Sequence, residues 1–282
     1  MHDRTLPDLV REITRLCLAE TDSTIRLMLL RQLALLVNRD LPAHVTTQPK
    51  DFVDDKAIAS EQLESLISND SVSSSQIRIA FWIAKALVFR LDSIDEVIPR
   101  LVSLLHRPDC GLDCARGFSI LLAPDELFTQ ENGAIIRKLA RQRMLSLCIA
   151  QISTNIRQAN STTRSNYLIA LSGILKYVSD KVMATEIETL LPLLLQSLDL
   201  SNANVRATTI ESVMLMVRIN PALVGEHAVS LITRLLQAAS DPAQNANVSR
   251  PLPAQPSSLL PIMLHSRCRA DRLLSSVYVL TL

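Results

Sequence analysis

The feature of this sequence that most constrains its fold is a β-branched residue followed by arginine, which recurs directly after short polar turns. The clear copies are Ile25-Arg26, Ile77-Arg78 and Val205-Arg206. Weaker copies are centred on Arg116, Arg164 and Arg250. The six arginines lie 38 to 52 residues apart, about 45 on average. Such regular recurrence indicates a chain built from repeated structural units.

The length of the period and the composition together predict the class of repeat. A period of about 40 to 47 residues with two apolar helices per unit is typical of HEAT and armadillo arrays, in which each helix pair buries its apolar face only against its neighbours. Glycine is scarce (5 residues), aromatic residues make up 3%, and 48% of residues are hydrophobic. Apolar residues recur at i, i+3, i+4 and i+7. The sequence therefore predicts an all-α solenoid of about five helix pairs plus a truncated last repeat.

Each clear copy of the motif follows residues that can cap a helix. The aspartates in these polar turns are Asp22, Asp70 and Asp199. We expect the β-branched side chain to point into the space between two helices, and the arginine to reach an aspartate in an adjacent turn. On this basis an aspartate at Ile77 or Val205 should cost several kcal/mol, whereas Arg206→Ala should cost less than about 1 kcal/mol.

Interruptions of the helical pattern organise the chain. A polar, proline-containing loop at 40–57 separates a first helix pair, 1–39, from the main array, 58–248. A second, shorter loop is predicted at 123–133. Five prolines follow Asp241 within about twenty residues, so helical order should fail there. The segment 249–282 is therefore predicted to be an aberrant, largely disordered Pro-rich tail.

Charge and cysteine content limit the cellular context. The net charge of +1 gives no general attraction to nucleic acid or to an anionic membrane. No run of 18 uncharged apolar residues and no signal-peptide pattern is found, which predicts a protein of the nucleus and cytoplasm that contacts no membrane. The odd number of cysteines predicts reduced thiols rather than a disulfide framework. These residues are Cys17, Cys110, Cys114, Cys148 and Cys268.

One cluster suggests a metal site. His106, Cys110 and Cys114 are spaced i, i+4 and i+8, and would suit zinc or iron if they lay on one continuous helix. Pro108 and Gly111 instead indicate a turn between two helices, which would separate the three side chains. The preferred interpretation is an exposed histidine and two thiols in or beside the core. No metal and no cofactor are predicted.

Catalytic motifs are missing from the sequence. It contains no glycine-rich phosphate loop, no zinc-protease motif and no hydrolase nucleophile motif. The five histidines are scattered along the chain and form no acid/base constellation. The sequence therefore predicts a binding protein and not an enzyme.

The densest charge cluster is the best candidate for a partner-binding surface, and it contains Arg137, Lys138, Arg141 and Arg143. At helical spacing Arg137, Lys138 and Arg141 share one face. The apolar residues expected on the opposite, buried side are Ile135, Ile136, Leu139 and Leu147. The charged face is either solvated or a docking patch for an acidic partner. Asn166 and Tyr167 are a second candidate, with either a core or an interface role.

The order of several segments adds a family resemblance. The successive segments are QIRIAFWIAKALVFR, ARGFSILL, IIRKLARQRM, SNYLIALSGILKYV and EIETLLPLLLQSLDL. In order and spacing they resemble the C-terminal HEAT region of the MMS-nineteen nucleotide excision repair protein family. The resemblance extends over roughly residues 9 to 248.

The resemblance implies a function. That family is a non-enzymatic scaffold of the cytosolic iron-sulfur protein assembly (CIA) targeting complex, and its C-terminal HEAT region docks a WD-repeat propeller and a small adaptor subunit. The scaffold is expected to deliver iron-sulfur clusters to apo-proteins of DNA repair, replication and transcription, including the TFIIH helicase, other DNA helicases and polymerases. No direct contact with nucleic acid is expected. The alternative is a generic HEAT-repeat adaptor of another pathway, such as transport or cytoskeletal regulation.

The sequence also departs from the family. Family members are several times longer, so this chain is expected to correspond to their C-terminal part. After Val248 the pattern requires a second helix and a further repeat, and the sequence instead becomes Pro-rich. We therefore expect 249–282 to differ from the native C-terminus of the family, with at most a short helix at 259–264.

Overall fold

The computed structural model describes residues 6–39, 55–69, 71–91, 94–199 and 203–240, and every regular element in these ranges is helical. A short 3-10 helix spans Leu104–His106. The α-helices are α1 Leu6–Ala19, α2 Ser23–Asn38, α3 Asp55–Ile67, α4 Ser74–Arg90, α5 Ile94–Ser103, α6 Gly111–Leu122, α7 Ala140–Asn155, α8 Ser161–Leu175, α9 Asp180–Ala184, α10 Ile187–Ser197, α11 Ala203–Ile219, α12 Pro221–Gly225 and α13 Ala228–Ser240. The predicted all-α class is confirmed, and the number of repeats stays a prediction.

The helices form two compact units, which divide after Val178. In the first unit α2, α4, α6 and α8 each pack on the next, while α1 packs on α3 and α5 on α7. Helices that are next to each other in sequence also pair, as in α1 with α2 and α3 with α4. This alternation produces two layers, as expected of stacked helix pairs. In the second unit α11 contacts α9, α10 and α12, and α13 contacts α10.

Side-chain caps define several helix starts. The Asp22 carboxylate accepts hydrogen bonds from the backbone N–H groups of Thr24 and Ile25, at 2.8 and 3.0 Å. At the second copy of the motif the cap is Ser73, which forms a capping box with Gln76. Asp70, the predicted cap at this position, lies outside the described residues. Asp199 forms an ion pair with Arg234 on α13.

The β-branched positions of the motif do not all behave alike. Ile77 and Val205 are buried, with 1% and 2% of their surface exposed, so the prediction is confirmed at both. It is wrong for Ile25, which is 49% exposed. The buried face of α2 begins at Leu30, five residues later, and at 3.6 residues per turn this places Ile25 about 140° away around the helix.

The arginines of the motif also differ from expectation. Arg26 donates from Nε to the backbone oxygen of Glu20 at 3.0 Å, and not to an aspartate of an adjacent turn. Arg206 is buried, with 6% exposure, so the premise of a small cost for Arg206→Ala was wrong. Arg78 is exposed. Arg206→Ala would leave the partners of a buried guanidinium unpaired, so its cost should be larger than expected. Arg78→Ala removes an exposed charge, and the small cost is expected there.

Contacts between neighbouring repeats use other arginines instead. Arg100 on α5 lies 2.7 Å from Glu64 on α3. Arg107 binds Asp109 at 2.8 Å, and the Asp109 carboxylate also accepts the backbone N–H of Val72 at 3.2 Å. These pairs are partly or largely exposed, so each contributes about 0 to 1 kcal/mol.

A glycine allows α4 and α6 to approach closely. A Cβ atom placed on Gly117 would lie 2.4 Å from the ring of Phe81, well inside van der Waals contact. The Phe81 ring also packs edge-on against Phe118, with centroids 5.3 Å apart. The missing side chain at Gly117 therefore makes room for an aromatic pair at the centre of the first unit.

The predicted loops and tail are only partly described. Helix α3 begins at Asp55, three residues before the predicted start of the main array at 58. The second loop is confirmed at 123–133 and continues up to α7. The predicted tail at 249–282, with its short helix at 259–264, lies outside the described residues. So does the stretch 40–54.

The described cysteines Cys17, Cys110, Cys114 and Cys148 are buried free thiols, while Cys268 lies in the stretch that the structure does not describe. Among the described helices none combines the length and the apolar character needed to cross a membrane.

Candidate functional site

The residues considered for a metal site are separated by a turn, as predicted. His106 ends the 3-10 helix, Cys110 precedes α6 and Cys114 lies inside α6. The Cys114 thiol donates to the backbone oxygen of Leu101 at 3.3 Å, and burial raises its pKa well above the usual value. Over the ranges that the structure describes, no three metal-ligating side chains converge. The two thiols are therefore positioned as core residues.

Asn166 and Tyr167 lie in the core of the first unit. The Asn166 amide donates to the backbone oxygen of Leu105 at 3.1 Å, and its side chain is 6% exposed. Tyr167 is fully buried, with its hydroxyl 2.7 Å from His106 Nδ1. Burial raises the pKa of Tyr167 to about 12. Of the two roles predicted for this pair, the structure places both side chains in the core role.

The basic cluster is arranged differently from the prediction. Helix α7 begins only at Ala140, so Arg137 and Lys138 precede it and share no helix face with Arg141. The prediction of one charged helical face is therefore wrong. Leu139, expected on the buried side, is 63% exposed. Ile135, Ile136 and Leu147 are partly buried.

A buried amide fixes the chain just before α7. Asn38, at the end of α2, is fully buried and donates from Nδ2 to the backbone oxygens of Ala86 at 2.9 Å and Ile135 at 3.1 Å. Its Oδ1 accepts the N–H of Ile135 at 2.6 Å. Two residues later the N–H of Arg137 donates to the oxygen of Phe89 at 2.8 Å. The chain here is held across the ends of α2 and α4, which prevents it from joining α7.

This arrangement creates a cavity of about 450 Å³ between α4, the 123–139 loop and the first turn of α7, which we call the basic cleft. Its lining residues are Lys85, Phe89, Ala123, Pro124, Asp125, Phe128, Thr129, Gln130, Glu131, Ile136, Arg137, Lys138 and Arg141. Four cations and two carboxylates are included, so the lining carries a net charge of +2. The cleft is therefore suited to an anionic ligand.

Lys85 forms the floor of the cleft. Its side chain is 1% exposed, and Nζ donates to the backbone oxygen of Ala123 at 2.6 Å. The ammonium lies 5.0 Å from the ring centroid of Trp82 and 5.7 Å from that of Phe128, a cation–π arrangement. Burial lowers the pKa of Lys85 to about 8, and the charge of Asp125 partly opposes this effect. The amine thus keeps its charge at neutral pH at some cost to stability.

Asp125 anchors the start of the loop beneath the cleft. Its side chain is 5% exposed, and Oδ2 lies 2.8 Å from Nε of Arg31 on α2. Oδ1 accepts the backbone N–H groups of Leu127 at 3.0 Å and Phe128 at 3.2 Å. One carboxylate therefore links α2 to the turn that presents Phe128 to the cleft.

The structure brings together three of the four residues in the predicted cluster. Arg137, Lys138 and Arg141 are exposed and line the cleft. The guanidinium of Arg141 lies 6.0 Å from the ring centroid of Phe89. Arg143 points elsewhere, and its Nη2 lies 2.8 Å from each carboxylate oxygen of Asp95 on α5.

Sequence reasoning did not identify Lys85, Asp125 and Asn38. A signal was present for Lys85, which is the single charged residue in the apolar run from Ile79 to Phe89. A lysine in the middle of a run that must be buried on all sides indicates a paired or functional amine. Asn38 and Asp125 carry no comparable local signal.

The lowered pKa of Lys85 leads to a prediction about stability. The amine is protonated in the unfolded chain below its ordinary pKa of 10.5, but in the folded chain only below about 8. Wild-type stability should therefore fall as pH drops through this window and then level off. The variant Lys85→Met lacks this loss. As the pH is lowered from 10.5 to 8, the free energy of unfolding of the variant should therefore rise relative to that of wild type by on the order of 2 to 3 kcal/mol.

Urea denaturation of both proteins at several pH values measures this difference. The variant also lacks the hydrogen bond to Ala123, which changes its free energy of unfolding by the same amount at every pH and leaves the shape of the pH curve unaffected. Lys176→Met, at an exposed lysine directly after α8, is the matched control and should change the free energy of unfolding by less than about 0.5 kcal/mol. Parallel pH curves for the Lys85 variant and wild type would contradict the lowered pKa.

Comparison with known proteins identifies a relationship over most of the chain. Residues 2–251 match the family model MMS19_C, described as "RNAPII transcription regulator C-terminal". The MMS19 nucleotide excision repair protein homolog of Bos taurus is 27% identical over 194 residues, covering 68% of this chain and 19% of the relative. The DNA repair/transcription protein mms19 of Schizosaccharomyces pombe is 26% identical over 220 residues, covering 77% and 21%. The aligned part of the chain thus spans about a fifth of the length of these relatives.

Proposed function

Since the chain belongs to the MMS19_C family, the RNAPII transcription regulator C-terminal family, we propose that it acts in DNA repair and transcription as a non-enzymatic scaffold. The names of the relatives support the process, since they refer to nucleotide excision repair and to DNA repair and transcription. The stacked helix layers of the first unit support the scaffold role, because such arrays present extended surfaces for binding. A nuclear location agrees with these processes.

The more specific proposal is that the chain is part of the CIA targeting complex. In this role it docks the WD-repeat propeller and the small adaptor subunit, and helps to deliver iron-sulfur clusters to apo-proteins such as DNA helicases and polymerases. Such work takes place in the cytoplasm as well as the nucleus. The ordered family resemblance of the segments between Gln76 and Leu200 supports this proposal.

The observation that carries the docking role is the basic cleft. A cavity lined by four cations and an aromatic wall, on a chain whose net charge is only +1, is a local binding feature and not a general property of the surface. Its rim residues Arg137, Lys138 and Arg141 are exposed and available to a partner. They are the partner-binding residues of this proposal.

Copurification from cells tests the proposed function. The tagged full chain should recover the propeller and adaptor subunits together with iron-sulfur helicases or polymerases, identified by mass spectrometry. Recovery of transport or microtubule factors instead would support the alternative, a generic helical-repeat adaptor.

Charge reversal in the cleft should weaken this recovery. The double variant Arg137→Glu/Arg141→Glu is expected to reduce the yield of assembly subunits about fivefold or more, because charges that attracted the partner now repel it. The matched control is Arg157→Glu/Arg164→Glu, which reverses two exposed arginines outside the cleft lining. Both variants should keep the helicity of wild type by circular dichroism. Equal recovery by both variants would remove the cleft from the docking surface.

A further inference from the structure

The chemistry of the basic cleft specifies its ligand more closely than a general acidic partner. Arg137, Lys138 and Arg141 supply cationic groups at the rim, and Lys85 supplies a buried one at the floor. A lysine ammonium has three N–H donors, and in the described chain the oxygen of Ala123 accepts one of them. Lys85 therefore adds buried positive charge beneath the rim, and Arg137, Lys138 and Arg141 are the groups that a ligand can contact.

The first turn of α7 adds to this preference for an anion. Its cap residue, Leu139, makes no side-chain hydrogen bond to the turn, whereas Asp22, Ser73 and Asn160 cap α2, α4 and α8. Helix α7 has 16 residues, and its N-terminal end therefore carries a partial positive charge. This charge adds to that of Arg141, which lies in the same turn and lines the cavity.

The walls of the cleft are apolar. Phe89 and Phe128 pack at a tilt with centroids 5.6 Å apart, and Ile136 lies beside them in the lining. A volume of about 450 Å³ accommodates a few side chains. A ligand that fits this surface combines a carboxylate with a neighbouring apolar group.

Nucleic acid fits this cleft less well. Its backbone carries a charge at every phosphate, and binding it needs an extended row of cations. The exposed carboxylate of Glu131 in the lining would repel such a chain of charges, and the net charge of the protein is only +1. A single carboxylate needs only the exposed rim cations Arg137, Lys138 and Arg141.

We propose that the basic cleft binds a short acidic segment of a partner protein, with one carboxylate held by Arg137 and Arg141 at the rim, above the buried charge of Lys85. An apolar side chain next to that carboxylate packs against Phe89, Phe128 and Ile136. This inference rests on the proposed docking function, since the segment belongs to a protein that the scaffold recruits. The cleft would thereby recognise a carboxylate next to an apolar side chain in the partner, and not the net charge of the partner alone.

Peptide capture with the purified full chain tests the ligand directly. The probe is a pool of synthetic peptides with a fixed central glutamate and randomised neighbours, compared with an identical pool that carries glutamine at the centre. Immobilised wild-type chain should retain the glutamate pool at least about tenfold better, because charge-assisted bonds are lost with the neutral amide. Sequencing of the retained peptides should show apolar residues enriched beside the glutamate.

Two variants localise the binding. Arg137→Glu/Arg141→Glu should reduce retention about tenfold or more, while Arg157→Glu/Arg164→Glu should remain within about twofold of wild type. Circular dichroism and melting temperature confirm that both variants fold. Equal retention of the two pools, or equal retention by the two variants, would overturn the proposal.

A fluorescent oligothymidine provides the remaining comparison. Binding of this probe more tightly than the glutamate pool, with loss of binding in the cleft variant, would assign the cleft to nucleic acid and overturn the peptide proposal. Peptide retention without recovery of assembly subunits from cells would keep the cleft assignment and reject the proposed pathway. The experiments therefore distinguish a failure of the peptide-binding proposal from a failure of the proposed pathway.

Discussion

Replacing Ile77 by aspartate is expected to lower the free energy of unfolding by about 4 kcal/mol or more. The substitution removes a fully buried aliphatic side chain from the α4 core and leaves a charged or newly protonated carboxyl in its place. Val205→Asp should behave in the same way in the second unit, because Val205 is 2% exposed. Chemical denaturation followed by circular dichroism measures both changes.

The same motif provides the controls. Ile25→Asp alters a residue that is 49% exposed and should change stability by less than about 1 kcal/mol. Arg78→Ala, next to Ile77 in sequence, removes an exposed charge and should also cost less than about 1 kcal/mol. A loss at Ile25 as large as that at Ile77 would contradict the orientation of α2 described above.

Removing the Asn38 amide is expected to have the second large effect. Asn38→Ala leaves the N–H and oxygen of Ile135 without their buried partner, and also frees the oxygen of Ala86. Unpaired buried polar groups cost about 1 to 3 kcal/mol each, partly relieved if water enters. We expect a total loss of about 2 to 4 kcal/mol.

Hydrogen exchange distinguishes this effect from a general loss of stability. The amides of Ile135 and Arg137 should exchange much faster in the variant. Exchange in the middle of α6 and α8 should become faster only by the amount that the loss of global stability accounts for. Gln32→Ala, an exposed amide on the same helix, is the matched control and should stay within about 0.5 kcal/mol of wild type. Unchanged protection at residues 134–137 would show that other contacts hold this stretch.

The helical class and the buried positions of α4 could be predicted from sequence because both depend on local spacing. After Ile77 the sequence of α4 is apolar around the whole circumference of the helix, and the predicted burial of Ile77 is confirmed. The identical dipeptide at Ile25 fails the prediction because burial depends on which side of α2 faces α4. Two residues of sequence cannot specify that rotation, whereas the full set of buried positions from Leu30 onward can.

The basic cleft could not be predicted because distant contacts create it. Arg137 and Lys138 lie next to helical residues in sequence, and their helix propensities favour an α7 that begins before them. The buried amide of Asn38 overrides that preference, because it binds the backbone of Ile135 and holds this stretch outside the helix. Lys85 reaches the same cavity only because the 123–139 loop folds over α4 and places Phe128 and Ala123 around its ammonium.

The contact between Asn38 and Ile135 also bears on the order of folding. The two residues are 97 positions apart, whereas stacked helix pairs meet over much shorter stretches of chain. Closing a longer loop costs more chain entropy and is slower, so we expect this bond to form after α2 and α4 have met. The cleft is then completed only after α2 and α4 have packed together. A partner that occupies it would bind only the finished unit, and its binding free energy would add to the stability of the packing that built the cleft.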